Sequence, residues 1–181
     1  MKITVISGSP HKKGTSAFLV DNFIEGATEA GHEIFRFDAA FKNISGCVGC
    51  GCCEMGFSNK TCIKKDDMQE LYPQILASDL VVFATPIYYF SFSAQLKTVI
   101  DRFYAVNNKL MEQNKRAILL ATAWNPNEDI MNHAKAQYLE ILKYLGWQNE
   151  AMIFACGCGT REQIINTQYP QFAKTLGQQL K

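Results

Sequence analysis

The chain opens on a strand, a small polar loop and a helix start, in that order. Ile3-Thr4-Val5-Ile6 is a short, mostly β-branched apolar run. It stops at Ser7-Gly8-Ser9-Pro10, passes through His11-Lys12-Lys13-Gly14-Thr15-Ser16, and gives way at Ala17-Phe18-Leu19-Val20 to a helical pattern. A helix beginning directly after such a loop leaves the N–H groups of its first turn without intrahelical partners, and its dipole favours negative charge there. Ser9, Thr15 and Ser16 add hydroxyls, while His11, Lys12 and Lys13 add positive potential. The first loop therefore reads as a phosphate cradle.

The same alternation continues along the chain. Helical periodicity runs from Ser16 to Ala30 and ends at Gly31, and a second strand is expected over Glu33–Phe37. After an irregular stretch, Asp67-Met68-Gln69-Glu70 resembles a capping box and starts a helix towards Ala77, with Pro73 predicting a kink or a late start. Leu80–Ala84 is a wholly apolar strand followed by an expected turn at Thr85-Pro86. Helix at Ser93–Ala105, strand at Arg116–Ala121, helix at Ile130–Leu145 stopped by Gly146, strand at Ala151–Cys156 and helix at Tyr169–Leu180 complete the series. Strands that are apolar throughout, alternating with helices, predict an α/β fold with a parallel sheet covered on both faces. The expected architecture is a flavodoxin-like, doubly wound five-stranded parallel sheet of order 2-1-3-4-5, forming one domain over residues 1–181 with a Cys-rich insert at about 45–65. Ligands of such sheets bind at the carboxyl ends of the strands. That gathers Ser7–Ser16, Thr85–Ser91 and the segments after Ala121 and Cys156 around one cleft.

Composition narrows the functional classes. A chain of 181 residues with 48% hydrophobic residues can bury a sizeable core, and a formal net charge of +1 leaves no footprint for nucleic acid or acidic membranes. No apolar run is long enough to span a bilayer, and Met1-Lys2-Ile3 enters a strand without a signal-peptide layout, so a cytoplasmic protein is expected.

The loop is not a Walker A motif and lacks Gly-x-Gly-x-x-Gly, which argues against a dinucleotide held in the Rossmann manner. In Thr85-Pro86-Ile87-Tyr88-Tyr89-Phe90-Ser91, Pro86 holds Thr85 extended. Aromatic side chains at a strand's carboxyl end can pack on a flat ring, or simply cap the core. Taken in order, Ser7-Gly8-Ser9-Pro10, Lys13-Gly14-Thr15-Ser16, Thr85-Pro86-Ile87-Tyr88, Gln95-Leu96-Lys97 and Ile100-Asp101-Arg102 resemble the NADPH-dependent FMN reductase family, and more narrowly its iron–sulfur flavoprotein branch. The resemblance runs from Ile3 to about Phe103. It implies FMN, with Ser9, His11, Thr15, Ser16 and the Ala17 amide on the phosphate, and Pro86, Ile87, Tyr88 and Tyr89 along the isoalloxazine. Thr122, Ala123 and Trp124 would form a third contact loop, with Trp124 equally placed for packing. His11 stands where many relatives carry arginine, which removes a bidentate fork that Lys12 or Lys13 would have to replace. Lys97, Asp101 and Arg102 read as a solvated charged face, or, by the resemblance, as part of a subunit interface in a homodimer or homotetramer.

Five of the seven cysteines lie between Cys47 and Cys62. Cys47-x-x-Cys50-x-x-Cys53 has ligand spacing, Cys52 is an extra thiol, and Cys62 follows after eight residues. Glycines 46, 49 and 51 allow tight folding, and Lys60, Lys64 and Lys65 add positive charge that favours thiolates. Three readings stay open: a [4Fe–4S] cluster on Cys47, Cys50, Cys53 and Cys62, as the resemblance implies; a metal-free cysteine loop; or structural zinc. Cys156 and Cys158 read as buried, apolar thiols.

The function expected is an FMN-dependent oxidoreductase taking electrons from NAD(P)H to a quinone, a flavin or another small acceptor, with no side chain needed as acid or base. The alternative is an iron–sulfur flavoprotein electron carrier that exchanges electrons with a ferredoxin-like partner. A cysteine-based sensor without flavin is disfavoured by the pairing of Ser7–Ser16 with Thr85–Tyr89.

Overall fold

Apolar residues on both faces of the central strands dictate a sheet sandwiched between two helical layers. In the computed structural model, described here for residues 1–55 and 62–181, that is the arrangement found. β1 (Lys2–Ser7), β2 (Glu33–Asp38), β3 (Leu80–Tyr88), β5 (Arg116–Thr122) and β6 (Gln148–Ala155) are parallel, in the order β2-β1-β3-β5-β6. The two-residue β4 (Ser91–Phe92) pairs antiparallel with β3 at its carboxyl end. Without that short strand the order is the expected 2-1-3-4-5.

Alternation along each strand feeds two cores. Ile3, Val5, Leu80, Val82, Ala84, Ile118 and Leu120 face α1 (Thr15–Glu29) and α7 (Tyr169–Gln179). Ile6, Val81, Phe83, Ala117 and Leu119 face the other way, onto α2 (Met68–Ala77), α3 (Ala94–Arg102) and α5 (Asn132–Leu145). Two single-turn helices, α4 (Asn107–Met111) and α6 (Arg161–Ile165), fill out the connections. Among the described residues no helix is long and apolar enough to cross a membrane.

Three expectations are corrected. The chain does not turn at Thr85-Pro86: both lie inside β3, where Thr85 pairs with Ala121 and Pro86 with Thr122. The turn falls at Tyr89-Phe90, with φ of 46° and 64°. Two consecutive left-handed residues make the tight mirror-image turn that suits hairpin twist. Asp67 makes no side-chain cap to α2. Instead the Met68 N–H donates to Asp66 Oδ1 at 3.3 Å, and Asp67 Oδ2 accepts from the Asn43 N–H at 2.7 Å. Pro73 lies inside α2, which begins at Met68 and runs to Ala77, so the helix does not start late.

Candidate functional site

The first loop is held from behind by the start of α3. Gly8 N–H donates to Ala84 O at 2.8 Å, and the Ser93 hydroxyl donates to Gly8 O at 2.8 Å. A Cβ on Gly8 would fall 2.4 Å from Ser93 Oγ and 2.6 Å from Leu96 Cβ, so no larger residue allows this approach. Ser93 also donates its N–H to Thr85 Oγ1 at 3.0 Å, which ties the loop to the hairpin strand.

The loop then enters α1 without a side-chain cap. Gly14 is the N-cap residue, its N–H bonded to His11 O at 3.0 Å. Phe18 N–H is the first in α1 to reach back, to Gly14 O. The amides of Thr15, Ser16 and Ala17 find no partner among the described residues, as expected for an uncapped first turn. Buried hydroxyls frame them. Ser16 Oγ lies 2.7 Å from Thr122 Oγ1, and Thr15 Oγ1 donates to the same oxygen at 3.3 Å. Ser9 Oγ accepts from His11 N–H at 3.3 Å. Ser9, Ser16 and Thr122 are all buried. Three N–H donors and buried hydroxyls at a helix start form a cradle whose chemistry fits a phosphate.

The Pro86–Thr122 register sets the hairpin beside this cradle. Ile87 is nearly buried, Tyr88 is half-exposed, and Tyr89 at the tip is 99% exposed. The Phe90 ring meets His133 edge-on at 6.2 Å between centroids. Trp124 is also exposed, its ring against Gly159. The aromatic residues thus stand free at the sheet's carboxyl edge and do not cap the core.

His11 sits on the other side of the cradle. It lines a cavity of about 310 Å³ that includes Lys12, Arg36, Asp38 and Phe41. Lys12 Nζ stands 4.7 Å from the centre of the Phe41 ring. Arg36 is engaged by Asp21 at 2.6 Å and Asp38 at 2.9 Å, so its fork is already filled. Sequence reasoning missed this flank. The one available signal was Arg36 and Asp38 at the end of an expected edge strand.

The cysteine segment forms a second feature. Cys47, Cys50, Cys53 and Cys62 line one cavity of about 430 Å³ together with Lys64 and Arg102. Gly49 and Gly51, at φ of 65° and 68°, supply the left-handed bends that let the loop fold around it. All seven cysteines are free thiols. Among the described residues no three His, Cys, Asp or Glu side chains are already drawn together as a metal site. The donor set nonetheless suits a soft metal or an iron–sulfur core, since four thiols share one cavity. The Cys50 thiol is held below its ordinary value by the backbone and then the thiol of Cys52, whereas the bond to Cys50 pushes Cys52 up and burial pushes Cys53 up. Lys64 is used structurally, donating to Gly46 O at 2.7 Å and Ser45 Oγ at 3.1 Å. Lys60 lies outside the described residues. Cys156 and Cys158 are buried, and burial raises both thiols, as inert packing groups require.

Arg102 overturns the solvated-face reading. Lys97 and Asp101 do form an exposed pair at 2.6 Å, but Arg102 is 1% exposed. Its Nη1 donates to Asp66 Oδ2 and Ser45 O, both at 2.6 Å, and its Nη2 to Asp66 Oδ1 at 3.1 Å. Ser45 N–H also donates to Asp66 Oδ2 at 3.2 Å. The two ends of the cysteine segment are thereby clamped together. Burial, the largest single influence, would raise the Asp66 carboxyl, but the hydrogen bonds and charge of Arg102 together with the Ser45 and Met68 N–H groups hold it below the usual 3.8.

The family model for NADPH-dependent FMN reductase matches residues 1–153. The chain belongs to that family. Among curated proteins, an iron-sulfur flavoprotein from Archaeoglobus fulgidus is 37% identical over 102 residues, which are 56% of this chain and 45% of that protein. One from Methanocaldococcus jannaschii is 38% identical over 106 residues, 59% of this chain and 52% of that protein. The chain of this FMN reductase family member spans about half the length of the curated relatives it matches. Among solved structures, an NAD(P)H:quinone oxidoreductase from Methanothermobacter marburgensis superposes with a TM-score of 0.81 at 21% identity, covering 99% of this chain and 95% of that one. At that identity the match shows the shared flavodoxin-like fold.

Proposed function

We propose that this member of the FMN reductase family is an FMN-dependent NAD(P)H oxidoreductase that serves a quinone, a flavin or another small acceptor. The observation that carries the reading is the uncapped first turn of α1. Its three amides, without a partner among the described residues, are framed by the hydroxyls of Thr15, Ser16 and Thr122 and sit beside the aromatic hairpin. Ser9, Thr15, Ser16, Thr122 and the Ala17 amide would hold the FMN phosphate, with His11 at its outer flank. Pro86, Ile87, Tyr88 and Tyr89 would line the ring. Bound FMN would supply the redox chemistry, with NAD(P)H as the hydride source. The chain's own part is to bind and orient: the amides neutralise the phosphate, and the aromatic hairpin gives the ring an apolar wall. No side chain is assigned as an acid or base.

The test is FMN binding, followed by flavin fluorescence on titration. Ser9→Arg places a bulky cation in the cradle and should abolish binding. Retained affinity in the folded variant would refute the assignment of the loop.

A second reading is favoured by one specific observation, the four cysteines on one cavity. In it, Cys47, Cys50, Cys53 and Cys62 hold a [4Fe–4S] cluster, and the protein passes single electrons to a ferredoxin-like partner. The curated relatives named iron-sulfur flavoprotein support it. Anaerobic purification with iron and acid-labile sulfide assays separates the two: flavin alone supports the first, and flavin with four irons supports the second. The exposed Tyr89, Phe90 and Trp124 at the carboxyl edge support a homodimer or homotetramer, which sedimentation would test.

A further inference from the structure

Arg102 does more than close the neck of the cysteine segment. Both terminal nitrogens are used by Asp66 and Ser45, yet its Nε–H is buried and makes no hydrogen bond among the described residues. A buried charged N–H without an acceptor is costly, and an orphan of this kind calls for a partner. Arg102 lines the same cavity as Cys47, Cys50, Cys53 and Cys62.

The other polar groups around that cavity are committed elsewhere. Lys64 is bonded to Ser45 and Gly46, Asp101 to Lys97, and Glu54 to the Tyr104 hydroxyl. Among the described side chains that line the cavity, the acceptors left are the sulfurs. Cys62 is the best placed. Its carbonyl accepts from Gln69 Nε2 on α2 at 3.2 Å, and Tyr72 on the same helix donates its hydroxyl to Arg102 O at 3.2 Å. Cys62 packs against the buried core beside them.

We propose that Arg102 is a positioning residue whose Nε–H is the reserved donor for an anionic sulfur at Cys62, stabilising negative charge in the cysteine cavity while Asp66 holds the guanidinium in place. The anionic sulfur is that of Cys62 as a ligand of the cluster in the second reading above, on which this inference rests. Hydrogen bonds to cluster sulfurs raise reduction potential, because they favour the more negative state.

The experiment uses the full chain purified without oxygen, with iron and sulfide assayed first. If the cluster is present, its midpoint potential is measured spectroelectrochemically in wild type, Arg102→Gln and Arg102→Lys, with the bound flavin's potential as an internal control. A donor role requires a more negative potential in both variants, because Arg102→Lys keeps the charge at the neck and loses Nε–H. An unchanged potential in folded Arg102→Lys, as a purely structural or purely coulombic role of Arg102 would give, overturns the proposal, and this arm stands should Arg102→Gln fail to fold. If iron and sulfide are absent, the cluster reading fails on its own, and this inference falls with it.

Discussion

Ser16 Oγ and Thr122 Oγ1 meet at 2.7 Å across 106 positions of sequence, and the contact is buried. It joins the first turn of α1 to the end of β5, so it fixes the width of the phosphate cradle. Thr122→Val keeps the shape and removes the oxygen shared by Thr15 and Ser16. A hydrogen bond to a charged ligand is worth roughly 1.5–3 kcal/mol. FMN affinity should therefore fall about 10- to 100-fold, read by flavin fluorescence quenching, while the fold persists. Unchanged affinity would remove Thr122 from the cofactor site.

The Asp66–Arg102 pair makes a stability prediction with a sign. Both side chains are almost wholly buried, and removing one partner of such a pair costs about 3–5 kcal/mol. Asp66→Asn should lose that much in chemical denaturation at neutral pH. Because the folded carboxyl titrates below its usual value of 3.8, its contribution is complete above that value. It then disappears as pH falls through the lower folded value. The gap between wild type and Asp66→Asn should close over that acid range. A gap that stays constant into strong acid would show that the ion pair is not its source.

Much of this was legible from local pattern. β1, β3 and β5 announce themselves as continuous apolar runs because both of their faces are covered, and the polar segments that interrupt them mark the site edge. Thr15, Ser16 and Thr122 do converge, since topology alone brings the carboxyl ends of β1 and β5 to the same rim. What failed was chemistry without a local signature. The hairpin turn has neither Gly nor Asn at Tyr89-Phe90, so Pro86 attracted the turn assignment instead. Arg102 looked solvated because its partner lies 36 positions away, beyond any helical spacing. The short α6 is different: Thr160 and Gln163 form a capping box that the sequence does contain.

Tyr138 offers a test of packing alone. It is 1% exposed, meets Phe83 edge-on at 6.1 Å between centroids, and its hydroxyl has no hydrogen-bond partner among the described residues. Burial pushes its phenol well above the ordinary value. An unsatisfied buried hydroxyl costs about 1–3 kcal/mol, so Tyr138→Phe should be neutral or stabilising by about 1 kcal/mol, read as a raised denaturation midpoint. Marked destabilisation would mean that the hydroxyl has a partner in solution, such as an ordered water.

The hairpin tip separates stability from function. Tyr89 and Phe90 hold left-handed φ values that cost a residue with a Cβ roughly 1–2 kcal/mol each. Strain of this kind persists where the side chains serve a purpose that the backbone does not. Asn and Gly at these positions satisfy the same turn without the penalty. The double variant Tyr89→Asn, Phe90→Gly should therefore raise stability by about 1–3 kcal/mol. If the exposed aromatic rings wall the isoalloxazine, the same variant should weaken FMN binding and slow NAD(P)H-dependent reduction of a quinone. Higher stability with undiminished affinity would sink the role of the hairpin in flavin binding and leave its aromatic face to subunit contact.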